Sequence, residues 1–298
     1  MRRKHIAMIV HGARADRESV RHLIAWVREK GHHVEPSVTL EPGDATAMTR
    51  AAAHAGADVV VALGGDGTVN EVVNGLDGFD TPLGLIPAGT ANDFASQVGI
   101  PRDADHAMDV ILRRKPVRVD TASLNGRRFL NVSTGGVGAA ATAETPAAAK
   151  ESLGSMAYAF SGVRKLADFA PYHAEFRGAD FAFAGEFLMF AVGLGRATGG
   201  GTLVTPRASM TDGLLDLCIV ESMSRAEFAR VVLRMKHGEH LDMAGVHYAQ
   251  LPSLTIAGDA PISVNVDGEI SDARRLDYRA RRRDLWVHLA HLPEDAPA

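Results

Sequence analysis

Residues 59–76 read VVVALGGDGTVNEVVNGL. An apolar run without polar alternation ends in Gly64-Gly65-Asp66-Gly67-Thr68, and that run fits a strand buried on both faces of a parallel sheet. Val69, Val72, Val73 and Leu76 then recur at i, i+3, i+4 and i+7, which predicts a helix starting just after the turn. Asn70, Glu71 and Asn74 are expected to point away from its apolar side. The glycines let a ligand approach the backbone, and the helix start offers free N–H groups and the positive end of a dipole. Together these make a phosphate site. No Lys-Ser/Thr follows the glycines, and Asn70 stands where a third glycine would complete G-x-G-x-x-G. Asp66 is unfavourable beside phosphate unless a cation or a proton transfer takes part, and a Mg²⁺ bridging acid and phosphates meets that need. The plainer alternative is a glycine turn whose Asp caps a helix.

Working outward, HIAMIV (5–10) reads as a strand, and Val20, Leu23, Ile24 and Val27 share one helix face. Strand-like HHVEPSVTL, alanine-rich DATAMTRAAAHAGA, the strand DVVVAL, the glycine turn, LGLIP and a helix from about Thr90 complete a βαβα rhythm. That rhythm predicts a parallel sheet with helices on both faces. After PVRVD (116–120) strands dominate: 128–133, 173–176, 186–194, 214–220, 253–256 and 262–266, with helical patterns at 146–169 and 224–236.

At 298 residues two domains are expected. Cys218 is the sole cysteine, which excludes an internal disulfide and suits a reducing cytoplasm. A net charge of -4 gives no electrostatic case for nucleic acid. No apolar run approaches the roughly 20 residues of a membrane span, and the basic start MRRK precedes too short an apolar stretch for a signal peptide.

A second turn, LIPAGTANDFA (85–95), follows its own strand. Thr90 is placed to cap the next helix, with Asp93 three residues on as an approximate capping box. Two such units ending at one edge of a parallel sheet would share a ligand, because ligands bind outside the carboxyl ends of the strands.

GGDGT followed by P-x-G-T-x-N-D-F resembles the diacylglycerol kinase catalytic-domain superfamily, and more narrowly the YegS-like lipid kinases. VTLEPGDA (38–45), STGGVG (133–138), ETPAAAKESLGSMAYAFSG (144–162), GRATGGGTLVTPRASMTDGLLDL (195–217) and NVDGE (265–269) extend the resemblance over nearly the whole chain. It implies a Rossmann-like parallel-sheet ATP-binding α/β domain at 1–120 and a β-rich, sandwich-like domain at 121–285 for lipid and metal. An active-site cleft would lie between them, and the C-terminal segment 286–298 would return to the first domain. ATP would contact Thr39, Gly64, Gly65, Asp66, Gly67, Thr68, Val69, Asn70 and Thr90. Mg²⁺, or Ca²⁺ in its place, would be held by Asp212 and by the carbonyls of Ser209 and Leu214, an all-oxygen set suited to a hard cation. Glu269 would take the proton from the lipid hydroxyl, with Asp267 close by and Asp66 acting at the phosphates. Taken alone, ISVNVDGEI reads as a strand entering an Asp-Gly hairpin turn.

The first loop, HGARAD, departs from the family's Asn-Pro-containing phosphate loop; Gly12 fits and Arg14 is a candidate phosphate contact. HGEH (237–240) with His247 lacks metal-ligand spacing and reads as a solvated turn. RATGGGT (196–202) reads as a loop beside the lipid site, with a phosphate cradle as the alternative. The basic runs at 113–118 and 274–284 read as solvated faces, with contact to anionic lipid headgroups as the alternative. The expectation is an ATP- and Mg²⁺-dependent lipid kinase acting on diacylglycerol or a phosphatidylglycerol-like lipid. It would be cytoplasmic and peripheral at the inner membrane face. The alternatives are an NAD-kinase-like or sugar kinase and a non-catalytic nucleotide- or lipid-binding regulator.

Overall fold

Two short apolar stretches, VVVALG and LGLIP, become adjacent parallel strands whose ends bring the two glycine turns together. The computed structural model describes residues 3–13, 16–137, 139 and 170–291, so Arg14 and the pattern at 146–169 lie outside it. The chain forms two units, Met1–Val119 with Arg283–Ala298, and Asp120–Arg282.

In the first unit β1 (His5–His11), β2 (His33–Thr39), β3 (Val59–Gly64) and β4 (Leu83–Pro87) pair in parallel in the order β4-β3-β1-β2. Every residue of β3 is buried, as its unbroken apolar run requires. Pro36 has no N–H to give, and it is tolerated because β2 ends the row of strands. Helices α1 (Arg17–Glu29), α2 (Asp44–His54) and α3 (Asp66–Gly75) make the connections. Leu23, Ile24 and Val27 of α1 are buried, and Asp16 caps it by accepting the Ser19 N–H at 2.8 Å. The α2–α3 contact is close: a Cβ on Gly75 would lie 2.6 Å from Thr49 Cβ. Gly43 leaves the start of α2 without a side-chain cap, and Glu71 supplies one from α3 by accepting the Ala45 N–H at 3.0 Å. After β4 come α4 (Asp93–Gln97) and α5 (Ala104–Arg113). The sequence reading passed over α5. Asp103 caps it, and its Ile111 packs where any Cβ on Gly84 would stand 2.7 Å away.

The second unit is antiparallel, its strands following β5 (Val117–Leu124), which straddles the division. They are β6 (Arg127–Phe129), β7 (Val132–Gly136), β8 (Tyr172–Gly178), β9 (Ala182–Gly193), β10 (Leu215–Glu221), β11 (Val246–Leu251), β12 (Ser253–Val266) and β13 (Glu269–Val287), with α6 (Arg225–Met235) before β11. β7 and β8 pair with successive stretches of both β9 and β12, so those two long strands hold the sheet's middle. Phe176, Phe187, Phe190, Leu217, Ile256, Leu276 and Tyr278 fill the core. β13 ends in the first unit, where Val287 pairs beside Leu83 and the His288 N–H donates to the Leu83 carbonyl at 2.9 Å.

Four expectations change. The strand at 128–133 is two strands, because the Asn131 carbonyl turns aside to accept the N–H groups of Leu194 and Gly195 at 2.9 and 3.1 Å. The basic run 274–284 is not merely a solvated face: it lies within β13, where Leu276 and Tyr278 enter the core between exposed Arg275, Asp277 and Arg279. HGEH is not a solvated turn throughout, since His240 is fully buried with Nε2 3.3 Å from the Val204 carbonyl. The helix expected from Thr90 starts at Asp93, as the site geometry explains.

Candidate active site

The parallel register sets His11 beside Thr39 and Gly64 beside Pro87. The loops after β1, β2, β3 and β4 therefore leave one edge of the sheet. Strand order reverses between β1 and β3, the point of an open parallel sheet at whose carboxyl edge ligands are expected to bind. Gly12 is required there by close approach: a Cβ would stand 2.3 Å from the Thr39 carbonyl oxygen. The Gly12 N–H also points to Thr39 Oγ1 at 3.4 Å.

The two glycine turns touch. A Cβ on Gly89 would lie 2.5 Å from Gly65 Cα, and the Ala88 N–H donates to the Gly64 carbonyl at 2.8 Å. Gly67, by contrast, has nothing within 4 Å on its Cβ side, so the start of α3 is open there. Asp66 is the first residue of α3, and its carboxylate reaches across to accept the Phe94 N–H at the start of α4, at 3.4 Å. Burial pushes its pKa up, while the N–H groups of Asp93, Phe94 and Asn92 hold it down. The acid between the glycines does act at a helix start, but at that of α4 rather than of its own helix.

Thr90 does not cap α4. The residue before the helix is Asn92, in the left-handed conformation with φ 51°, and it is buried. Its amide closes the turn on Gly89, accepting from the N–H at 2.9 Å and donating to the carbonyl at 2.7 Å. Asn tolerates this conformation better than most residues, which is the signal in TANDF that went unread. Asn70 does not point away: it is buried, and its side chain accepts from Asn74 Nδ2 at 3.1 Å.

In the second unit, Leu214 N–H donates to Asp212 at 2.9 Å, and Thr211 N–H points to Ser209 Oγ at 3.3 Å. Two further acids border this turn. Buried Asp120 accepts the Gly213 N–H at 2.6 Å, and its own N–H donates to the Met210 carbonyl at 2.7 Å. Asp216 is buried, bonded to Tyr248 at 2.5 Å, and pushed up to about 6 by burial and by the nearby charge of Asp212. Oxygen donors in the turn, with Asp212 in it and two more acids on the strands beside it, fit a hard divalent cation.

Asp267 and Gly268 are the two central residues of the β12–β13 hairpin, with φ 49° and 95°, and the Gly268 N–H donates to buried Asn265 at 2.8 Å. Glu269 follows at once. Its carboxylate is gripped by both terminal nitrogens of Arg127, which holds it below the ordinary carboxylate range. Sequence reading missed Arg127, since nothing in NGRRF marks which arginine turns towards a hairpin roughly 140 residues away. Leu124, Arg127, Val266, Glu269 and Ile270 line a cavity of about 120 Å³.

The family described as "Diacylglycerol kinase catalytic domain" matches residues 5–124, and that described as "YegS C-terminal NAD kinase beta sandwich-like domain" matches residues 131–283. The chain belongs to the YegS-like lipid kinase family. It is 35% identical over 304 residues to "Probable lipid kinase YegS-like" of Xanthomonas campestris pv. campestris, covering 98% of this chain and 97% of that one. The protein of the same name in Pseudomonas syringae pv. syringae is 34% identical, with 100% and 96% covered. A crystal structure of a diacylglycerol kinase from Bacillus anthracis str. Sterne superposes with a TM-score of 0.77 at 23% identity, over 97% of this chain and 98% of that one, and so shares the fold. This YegS-like chain thus joins a diacylglycerol kinase-type catalytic domain to a β-sandwich-like domain. The GGDGT and PAGTANDF turns lie in the first and the DGLLDL and NVDGE turns in the second. Among its described residues no helix is long and apolar enough to cross a membrane.

Proposed function

We propose that this chain transfers the γ-phosphoryl group of ATP to a hydroxyl of a membrane lipid, diacylglycerol or a phosphatidylglycerol-like lipid. The observation that carries the reading is the meeting of the two glycine turns, Gly65 against Gly89, with Asp66 bridging to α4, at the carboxyl edge of a parallel sheet. Phosphoryl transfer needs mostly positioning and charge neutralisation. Open N–H groups at the start of α3, around Gly67 and Thr68, suit the phosphates, with Val69 and Asn70 backing them from inside the helix. Thr39 ends β2 and Thr90 stands on the loop after β4, both at the same edge. In the second unit Asp212, with the Ser209 and Leu214 carbonyls, would hold Mg²⁺. When bound, that ion supplies positive charge and order to an acid-rich turn. Glu269 would orient and deprotonate the lipid hydroxyl, its carboxylate kept ionised by Arg127, with Asp267 shaping the hairpin that presents it. Work on a lipid hydroxyl places the enzyme at a membrane surface, the inner face for a cytoplasmic protein.

The test is incubation of the full chain with labelled ATP, Mg²⁺ and a lipid panel, beside NAD and sugars. Label in a phospholipid product is expected. Label only in NADP or a sugar phosphate would overturn the lipid assignment, and ATP binding without transfer to anything would make the protein a regulator.

A further inference from the structure

At the opposite edge of the first sheet, β1 and β2 begin with His5 and His33 directly opposite one another in parallel register. Glu35 lies two residues along β2 and so shares the face of His33. Its Oε1 is 3.0 Å from His33 Nε2, and its Oε2 is 3.0 Å from His5 Nε2. The two imidazole centroids are 5.1 Å apart, and one donor atom from each of the three residues falls within 4.8 Å of the others. Among the described residues no other trio of His, Cys, Asp or Glu donors is so close. His5 Nε2 is buried, and Glu35 is the carboxylate it faces.

We propose that His5, His33 and Glu35 bind a divalent transition ion of the Zn²⁺ class, with water completing the shell. Two imidazole nitrogens and one carboxylate oxygen form a borderline donor set that zinc takes readily and Mg²⁺ does not. A tetrahedral zinc at its usual bond lengths separates neighbouring ligands by about 3.3 Å, close to the two His–Glu separations of 3.0 Å, while all three donors already lie within 4.8 Å. The strands pre-set the backbone, and the His5 N–H is anchored to Asp58 at 2.7 Å. His33 and Glu35 are 47% and 58% exposed, which opens a path for the ion. The adjacent cation, Lys4, is on the other face and donates to the Ile111 carbonyl at 3.0 Å. The length of β1 sets this site about 20 Å from the glycine turns, so it is separate from the proposed ATP edge. A bound ion would staple the first two strands together where β2 has only one neighbour.

The test uses the untagged full chain, stripped with chelator and titrated with Zn²⁺ alone by calorimetry, with Co²⁺ as an absorbing substitute. One equivalent of Zn²⁺ is expected, together with the visible bands of four-coordinate Co²⁺. His33→Gln and Glu35→Gln, both at exposed positions, should each weaken binding at least tenfold while circular dichroism and Tm in chelator stay unchanged. Failure of the parent chain to bind one equivalent would overturn the site, as would undiminished binding in the folded double variant. Neither readout depends on kinase activity.

Discussion

Arg127 holds both carboxylate oxygens of Glu269 with its two terminal nitrogens. A planar guanidinium fork matches a carboxylate, so the pair fixes the orientation of Glu269 and lowers its pKa from 4.5. A depressed carboxylate stays ionised until the pH falls through its lowered value. The acid limb of the kcat/KM profile should therefore lie below 4.5, and Arg127→Ala should move it up towards 4.5. Both side chains are roughly half exposed, so the same substitution should change stability by less than about 1 kcal/mol. Glu269→Gln should lower turnover at least ~100-fold without unfolding the protein. Near-normal turnover in that variant would remove Glu269 from the base role.

Gly89 and Gly67 should separate packing from ligand contact. Gly89→Ala puts a methyl 2.5 Å from Gly65 Cα, a backbone atom that cannot swing aside. It should cost about 1–3 kcal/mol by overpacking, read as a lower Tm. Gly67→Ala meets nothing within 4 Å and sits in a helix, so stability should hold or rise by up to about 1 kcal/mol. Its KM for ATP should nonetheless increase if phosphates seat there.

The contact of Asp66 with the start of α4 and its proposed role at the phosphates can be told apart. Asp66→Ala removes the acceptor from the start of α4 and should cost about 1 kcal/mol of stability along with at least ~100-fold in turnover. Asp66→Asn keeps a carbonyl oxygen for the Phe94 N–H while removing the charge. It should recover most of the stability and little of the turnover. Recovery of both would reduce Asp66 to a cap.

His288 predicts an acid sensitivity of the first unit. Burial, then the charge of Lys4, pulls its pKa from 6.5 down to about 4, while Nδ1 bonds the Arg114 carbonyl at 2.9 Å. Because the folded value is depressed, the unfolded chain binds the extra proton first. Stability should be full above 6.5 and lost as pH falls from there towards 4. His288→Gln should flatten the plot of Tm against pH across that window. An unchanged slope would show that other groups govern it.

The first half of the fold was legible because burial on both faces writes itself as VVVALG and LGLIP, and because glycine turns follow at the strand ends, the edge of the candidate site. The second half was less so. β13 hides its alternation under arginines, since Arg, Asp and Arg flank each buried residue in RLDYR. At the site, the residues named from the motifs proved to be local to each turn. Their partners come from elsewhere in the chain: Asp66 meets α4, Gly213 meets Asp120, and Glu269 meets Arg127. Spacing along the chain carries no record of such pairings. Asn92 was within reach, because an Asn before a helix is the residue that accepts a left-handed turn.

The pairing of Val287 with Leu83 also bears on how the protein is made. These residues stand roughly 200 positions apart, a loop whose closure is among the costlier entropic steps available to this chain. During synthesis the first four parallel strands emerge long before the segment that pairs with the start of β4 on its outer side, at Leu83. Until that segment arrives, β4 offers a bare row of peptide groups, the kind of edge that recruits other chains. A fragment ended near residue 119 would keep the nucleotide motifs and lack this cover. Its solubility, not its sequence content, would then be the obstacle to studying the first unit alone.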